Sequence, residues 1–468
     1  MAKITHIVIV PSPLYSHLVS ALELSKRLLH LHPTFHVTCI IPILESLPPS
    51  FIPNLQSLPP NLTTVFLPSI SKDDMPTGAK EVVKIKLTIT KSMPSIHGLL
   101  NSFTSKTPLA ALIADPFSHE VLESSKALNT LSFIFLPASA MIVSFLFHMP
   151  KLDQTLVGDF HQQSQGIHIP GCVPLRGSDL PDPLQDRSNR AYKEYLQRAE
   201  SFSRVDGVLV NSFLELEQGP ARALVEQGSN HPPVYLVGPL TQSGSKPGSD
   251  SDSECLKWLE NQPPRSVLYI CFGAGGTLTS QTQINELASG LELSGKRFLW
   301  VVRVPSDSVD ISLGSSKKTN PLECLPKGFL ERTKDQGLVI PLWAPQISIL
   351  SHKSTGGFLT NGGWNSILES VQYGVPIIAW PLFAEQRMNA AFLTDGLNVA
   401  LRPKVNQSGI VDREEIGAVI KRLMEGEEGK EIYRRMSGLK DVAVSVLKEG
   451  GSSTKALNEV AQICKTFQ

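Results

Sequence analysis

The chain has 468 residues, equal numbers of acidic and basic side chains (43 each) and 41% hydrophobic residues. With no net formal charge there is no bulk field to draw nucleic acid or an anionic membrane surface, and no run of about 20 apolar residues offers a membrane span. The length allows two or three cored domains. The six cysteines (Cys39, Cys172, Cys255, Cys271, Cys324 and Cys464) are scattered without ligand-like spacing, which argues for free thiols in a reducing compartment and against zinc.

Residues 1–13, MAKITHIVIVPSP, read as a strand running into a turn rather than as a signal peptide, because the apolar run is short and no cleavage site follows. A soluble cytoplasmic protein is expected, and the sequons at Asn61 and Asn406 then carry no glycan. The spacing predicts a strand over 6–10, a turn over 14–17 and a helix over 18–31. Strands are expected over 37–41, 64–67, 109–114, 131–136, 207–211 and 234–237. Helices are expected over 80–100 and 138–147, with another beginning at 212–217. Residues 241–254, TQSGSKPGSDSDSE, have no apolar anchor and read as a linker. After it the alternation restarts. Strands are expected over 266–272, 298–302, 338–340 and 399–401, and helices over 255–260, 279–293, 385–393, 412–425, 431–449 and 452–467. A polar loop separates the second and third of these strands, over 304–325. Strands alternating with helices predict mostly parallel sheets covered on both faces, with ligands at the carboxyl ends of the strands.

Two places gather chemistry-bearing residues. His17 follows the first strand, and Asp115 ends the strand over 109–114. A neutral imidazole can take a proton from a hydroxyl while a carboxylate fixes its tautomer. A surface or capping histidine is the competing reading, and His119, one turn beyond Asp115, is an alternative base. The other place is residues 343–386, WAPQISILSHKSTGGFLTNGGWNSILESVQYGVPIIAWPLFAEQ. Its glycine-rich turn leads into a helix starting near Asn365 or Ser366 and stopping at Gly374, a geometry that offers backbone N–H groups to a phosphate. Glu369, one turn along, can accept from sugar hydroxyls, and Trp343 and Trp364 offer flat faces to a base or a sugar. An ordinary β-loop-α unit with core tryptophans and a capping asparagine fits the same pattern.

This stretch resembles the 44-residue signature box of the plant family-1 glycosyltransferases that use UDP-sugars, opening with WAPQ and closing at Gln386. The segments CLKWLENQPPRSVLYICFGAGGTLT and WPLFAEQRMNA resemble most closely the hydroquinone (arbutin-forming) glucosyltransferase branch. The resemblance implies a GT-B architecture, two Rossmann-like doubly wound α/β domains facing across a cleft. It implies an acceptor-binding domain over 1–240, a linker over 241–254, a UDP-sugar-binding domain over 255–450 and a terminal helix over 451–468 that packs back on the first domain. It further implies an inverting transfer of glucose from UDP-glucose to a small phenolic or aromatic hydroxyl, giving a β-O-glucoside, with His17 as general base oriented by Asp115. By the same resemblance Trp343 stacks on uracil, Gln346 and Glu369 hold the nucleoside, and Asn365 and Ser366 bind phosphate. Trp364, Glu385 and Gln386 address the sugar, and Gln386 favours glucose. Tyr15, Phe117, Phe145 and Phe147 are candidates to line the acceptor pocket. No cofactor and no metal are implied beyond the donor substrate itself, and a monomer without stable membrane insertion or nucleic-acid partner is expected.

Three departures from the family pattern stand out. Asn361-Gly362-Gly363-Trp364 replaces His-Cys-Gly-Trp, and Gly273-Ala274 stands for the usual Gly-Ser, leaving the N–H groups of Gly275, Gly276 and Thr277 to meet phosphate. Leu14-Tyr15-Ser16 precedes His17 in place of a glycine-rich turn. These departures keep open a weakly active or non-catalytic UDP-sugar or phenol binding protein. A UDP-sugar epimerase or hydrolase on the same architecture is a further alternative. A dinucleotide oxidoreductase is disfavoured, because the first strand lacks an ordered GxGxxG with its acidic ribose anchor.

Overall fold

The computed structural model describes residues 4–44, 55, 58–71, 74–76, 79, 81–105, 107–163, 166–226, 231–242, 253–273, 275–306 and 320–467. Most of the expected linker (243–252), Ala274 and the middle of the polar loop (307–319) lie outside these residues.

Two parallel sheets organise the chain. The first contains β1 (Thr5–Val10), β2 (Phe35–Ile41), β3 (Leu62–Phe66), β4 (Leu109–Ala114), β5 (Leu131–Leu136), β6 (Gly207–Val210) and β7 (Val234–Leu236), in the order β3-β2-β1-β4-β5-β6-β7. The second contains β8 (Val267–Cys271), β9 (Arg297–Val302), β10 (Gly337–Pro341), β11 (Thr355–Thr360), β12 (Ile377–Ala379) and β13 (Ala400–Leu401), in the order β10-β9-β8-β11-β12-β13. Central strands such as β1, β4 and β5 are buried along their whole length, as unbroken apolar runs covered by helices on both faces require. In each sheet the order reverses beside the first strand, between β1 and β4 and between β8 and β11. Crevices open at such reversals.

The helix Ser452–Phe467 belongs to the first half in space. Its Leu457, Val460, Ala461 and Cys464 share a core with Ile7, Ile9, Leu22 and Tyr235. Asn458 bonds His32 at 2.9 Å, and Arg27 donates to Thr454 at 2.8 Å. The two halves also meet directly. The Trp364 indole N–H donates to the Asn211 carbonyl at 2.7 Å, Arg402 pairs with Asp179 at 3.0 Å, and Arg387 pairs with Asp182.

Several expectations need correction. The first helix runs over Tyr15–Leu31, so the predicted turn over 14–17 is already its first turn, with the Leu14 carbonyl accepting from the N–H groups of His17 and Leu18. Residues 212–217 are not helical; the helix is Gln218–Glu226. The Glu217 carboxylate is drawn inward, accepting from Ser212 and from the N–H groups of Ala140 (2.7 Å) and Met141 (2.9 Å) at the start of the helix Ala140–Thr155. Burial holds that carboxyl up at about 7. Three α-helices lay outside the expectation, Gln346–Ser351, Arg190–Phe202 and the short Phe329–Arg332. The second is capped by Asn189, whose side chain accepts from the Ala191 N–H, and it buries Tyr192, Ala199 and Phe202 along one face.

Candidate active site

His17 and Asp115 stand at the reversal of the first sheet. Asp115 follows β4, where its N–H reaches the Val10 carbonyl at the end of β1 and its Oδ1 accepts from the Phe117 N–H at 2.9 Å. The remaining oxygen accepts from His17 Nδ1 at 2.6 Å. That bond places the neutral ring's proton on Nδ1 and leaves Nε2 as the basic atom. Burial lowers the imidazole's basicity. The charge and hydrogen bond of Asp115, helped by the charge of Glu385, outweigh it, so the ring is held above its ordinary value. His119 is built differently: its Nδ1 meets the Pro116 carbonyl at 2.9 Å, and burial together with the Arg198 charge lowers its basicity. Of the two histidines, only His17 carries a carboxylate on its ring.

The reversal of the second sheet collects the rest. After β8 the chain folds tightly over the Phe272 carbonyl; a Cβ at Gly276 would lie 1.8 Å from that oxygen, so only glycine fits. Thr277 turns its hydroxyl to the Val304 carbonyl at 2.9 Å. Among the described residues no hydrogen bond engages the N–H of Gly275, Gly276 or Thr277. After β11, Asn361 is buried, and its Oδ1 accepts from the Gly363 N–H at 3.2 Å while its amide nitrogen faces Gly273 and Gly276. The helix Trp364–Tyr373 starts there and stops at Gly374, whose φ of 73° is left-handed. The N–H groups of its first turn point outward from the helix start, as at any such terminus.

Farther along, Glu369 Oε2 accepts from Gln346 Nε2 at 2.7 Å, and the same nitrogen donates to Ser366 Oγ at 3.1 Å. Burial raises the Glu369 carboxyl to about 7, against the pull of the Gln346 bond. Trp343 is 55% exposed, leaving a ring face open. It follows Leu342, a non-glycine residue with a φ of 69°, and Glu385 follows Ala384, with a φ of 53°. Both backbone positions are costly for side-chain-bearing residues, and each aims a candidate site residue. Burial raises the Glu385 carboxyl, against the His17 charge, which reaches it from the other half. Gln386 is buried, and its Oε1 is fixed by the N–H groups of Leu382 (2.9 Å) and Phe383 (3.0 Å), leaving its amide nitrogen as donor.

Four candidates sit elsewhere than the sequence suggested. Trp364 is core: 3% exposed, with its N–H committed to Asn211, it has no face for a sugar. Asn365 does not turn its amide to a phosphate. Its Nδ2 donates to the Ser16 carbonyl at 3.0 Å and its Oδ1 accepts from Ser20 at 3.2 Å, because the starts of two helices abut there. Phe145 is fully buried among apolar neighbours, and Phe147 is stacked on His231 with ring centroids 4.7 Å apart. Phe117, by contrast, lies against His17, centroids 5.7 Å apart. Tyr15 lies within reach of the Glu369 charge, which adds to burial in raising its phenol. Sequence reasoning missed Tyr195 and Arg198. The Glu385 charge reaches Tyr195, and the Arg198 guanidinium lies 4.8 Å from the centre of the Phe117 ring. The amphipathic spacing of RAYKEYLQRAESF behind an asparagine cap was the available signal.

Among the described residues no three His, Cys, Asp or Glu side chains gather as metal ligands, and no helix is long and apolar enough to cross a membrane.

Known proteins share this layout. Residues 234–445 match the family model described as UDP-glucoronosyl and UDP-glucosyl transferase. Hydroquinone glucosyltransferase of Rauvolfia serpentina is 48% identical, the match covering 99% of this chain and 98% of that protein. A UDP-glucosyltransferase from Polygonum tinctorium capable of glucosylating indoxyl, solved with 3,4-dichloroaniline, superposes with a TM-score of 0.90 at 47% identity, covering 99% of each chain. UGT2 of Phytolacca americana, solved with UDP-2-fluoro-glucose and pterostilbene, gives 0.88 at 44%, covering 98% of this chain and 100% of that one.

Proposed function

This chain belongs to the plant family-1 UDP-glycosyltransferases, beside the hydroquinone glucosyltransferases, and from that premise we propose that it moves glucose from UDP-glucose to the hydroxyl of a small phenol with inversion. It is a UDP-sugar-dependent enzyme, and its two doubly wound sheets are the GT-B architecture. The single observation that carries the finer reading is the 2.6 Å His17–Asp115 pair, within reach of the Glu385 charge of the other half.

In this reading the phenol gives its proton to His17 Nε2 as its oxygen bonds the anomeric carbon. The bond from that carbon to the phosphate oxygen breaks in the same step, and UDP leaves with the electron pair. Asp115 steadies the imidazolium. Charge growing on the leaving phosphate meets the N–H groups of Trp364, Asn365 and Ser366, and those after β8. Asn361 Nδ2 stands beside them as a neutral donor. Trp343 takes the uracil, Gln346 and Glu369 the ribose, and Glu385 and the Gln386 amide nitrogen the glucose. One displacement at the anomeric carbon gives the β-glucoside. In domain terms we assign acceptor binding to residues 1–240 and donor binding to 255–450, with 451–468 returning to the first half.

Incubation with UDP-glucose and a panel of phenols, followed by mass spectrometry and NMR, tests the reading. β-Glucosides with stoichiometric UDP are expected. Free glucose, an epimerised donor or an α-glucoside would overturn it.

A further inference from the structure

Among the described residues Arg198 is a cation without a counter-ion. Arg190 on the same helix is matched, since Glu194 takes both it and Lys86 at 3.2 Å. Arg198 has no ion pair among the described residues, and its buried Nε has no hydrogen-bond partner. The guanidinium lies instead against two rings, 4.8 Å from the centre of Phe117 and 5.2 Å from that of Tyr195. Phe117 packs on His17, and Tyr195 feels the charges of Arg198 and Glu385 together. The group therefore sits one aromatic ring away from the proposed base. Stacking orients a guanidinium without using its in-plane N–H donors, and those donors match a carboxylate in a two-point contact.

We infer that Arg198 selects phenols bearing a carboxylate across the ring from the reacting hydroxyl, and sets which oxygen is glucosylated. The inference rests on the glucosyl-transfer reading above and names its acceptor class. With the carboxylate held on Arg198, the phenolic O–H faces His17 Nε2 and gives up its proton there. The phenolic oxygen bonds the anomeric carbon, UDP departs, and the carboxylate is left unreacted. Arg198 acts on substrate orientation and takes no part in the proton transfer.

The test compares 4-hydroxybenzoate with 4-hydroxybenzamide, which has the same shape without the charge, in the wild-type enzyme, Arg198→Met and Arg198→Lys. Binding is read by calorimetry with UDP present, and turnover and product by NMR. The wild type is expected to bind the carboxylate about tenfold more tightly than the amide and to give only the phenolic glucoside. Arg198→Met should erase the preference, leave amide binding unchanged and release some glucose ester. Arg198→Lys should retain part of the preference. Equal binding of the two ligands by the wild type, or an equal loss of both in Arg198→Met, overturns the role of Arg198. Should Arg198→Met not fold, the wild-type and Arg198→Lys comparisons decide. Carboxylate preference without any glucoside would sink the transfer reading and leave Arg198 standing, whereas glucosides formed without preference would do the reverse.

Discussion

The two sheet reversals of this protein share a topology and divide the chemistry. At the first, between β1 and β4, the loop ends are specified by side chains: one imidazole, one carboxylate and a 2.6 Å bond between them. At the second, between β8 and β11, the loops are mostly backbone. Gly276 is folded against a carbonyl, Asn361 is tied to the Gly363 N–H, and a helix start presents unengaged N–H groups. A proton acceptor needs a tuned side chain, whereas a diphosphate is met well by a field of backbone donors. Under the proposed transfer, one topology thus serves both tasks according to which residues follow its strands.

That division can be broken at either end. The largest effect should come from His17→Ala: turnover on a phenol falls by about 10²–10⁴ with UDP affinity unchanged, as rapid-quench and calorimetric measurements would read. A parallel loss of UDP binding would erase the distinction between the two sites. Next, Asp115→Asn should lower kcat and move the acid limb of its pH profile downward. The base works as neutral imidazole, so the rate falls as pH drops through the ring's raised value, above the ordinary 6.5. Without the carboxylate burial is opposed only by the smaller pull of the Glu385 charge, and the ring loses its proton at lower pH. A limb that stays in place would assign it to another group.

Asn361→Asp keeps the acceptor that holds Gly363 but removes the amide donor and adds a negative charge. Affinity for UDP should drop about tenfold while affinity for uridine holds, consistent with ~1–3 kcal/mol for a lost buried donor. Equal losses for both ligands would show that Asn361 shapes the loop and does not serve the phosphates. The smallest effect is expected from Trp364→Phe. Losing its bond to Asn211 should lower unfolding stability by about 1 kcal/mol and leave the donor affinity close to wild type.

Periodicity made the strands and their alternation legible, because fully buried parallel strands are unbroken apolar runs: β4 and β5 fall on the expected residues. The helix Arg190–Phe202 escaped, since its charged sequence hides a narrow apolar stripe, and with it went Tyr195 and Arg198. In the site, motif position was readable but side-chain commitment was not. Trp364 and Asn365 occupy the right place in the box, yet their polar atoms are spent on Asn211, Ser16 and Ser20, residues more than 150 positions away. Such long-range partners leave no mark in local spacing. Phe145 shows the same limit for apolar residues, where composition does not separate a lining ring from a core one.

The return of the helix Ser452–Phe467 to the first half means that the chain passes between the halves twice. A single connection would let the halves swivel in any direction. Two connections define an axis, and any rotation about it must also part the contacts of Trp364 with Asn211, Arg402 with Asp179 and Arg387 with Asp182. Shortening either crossing should slow product escape before it disturbs the bond-making step.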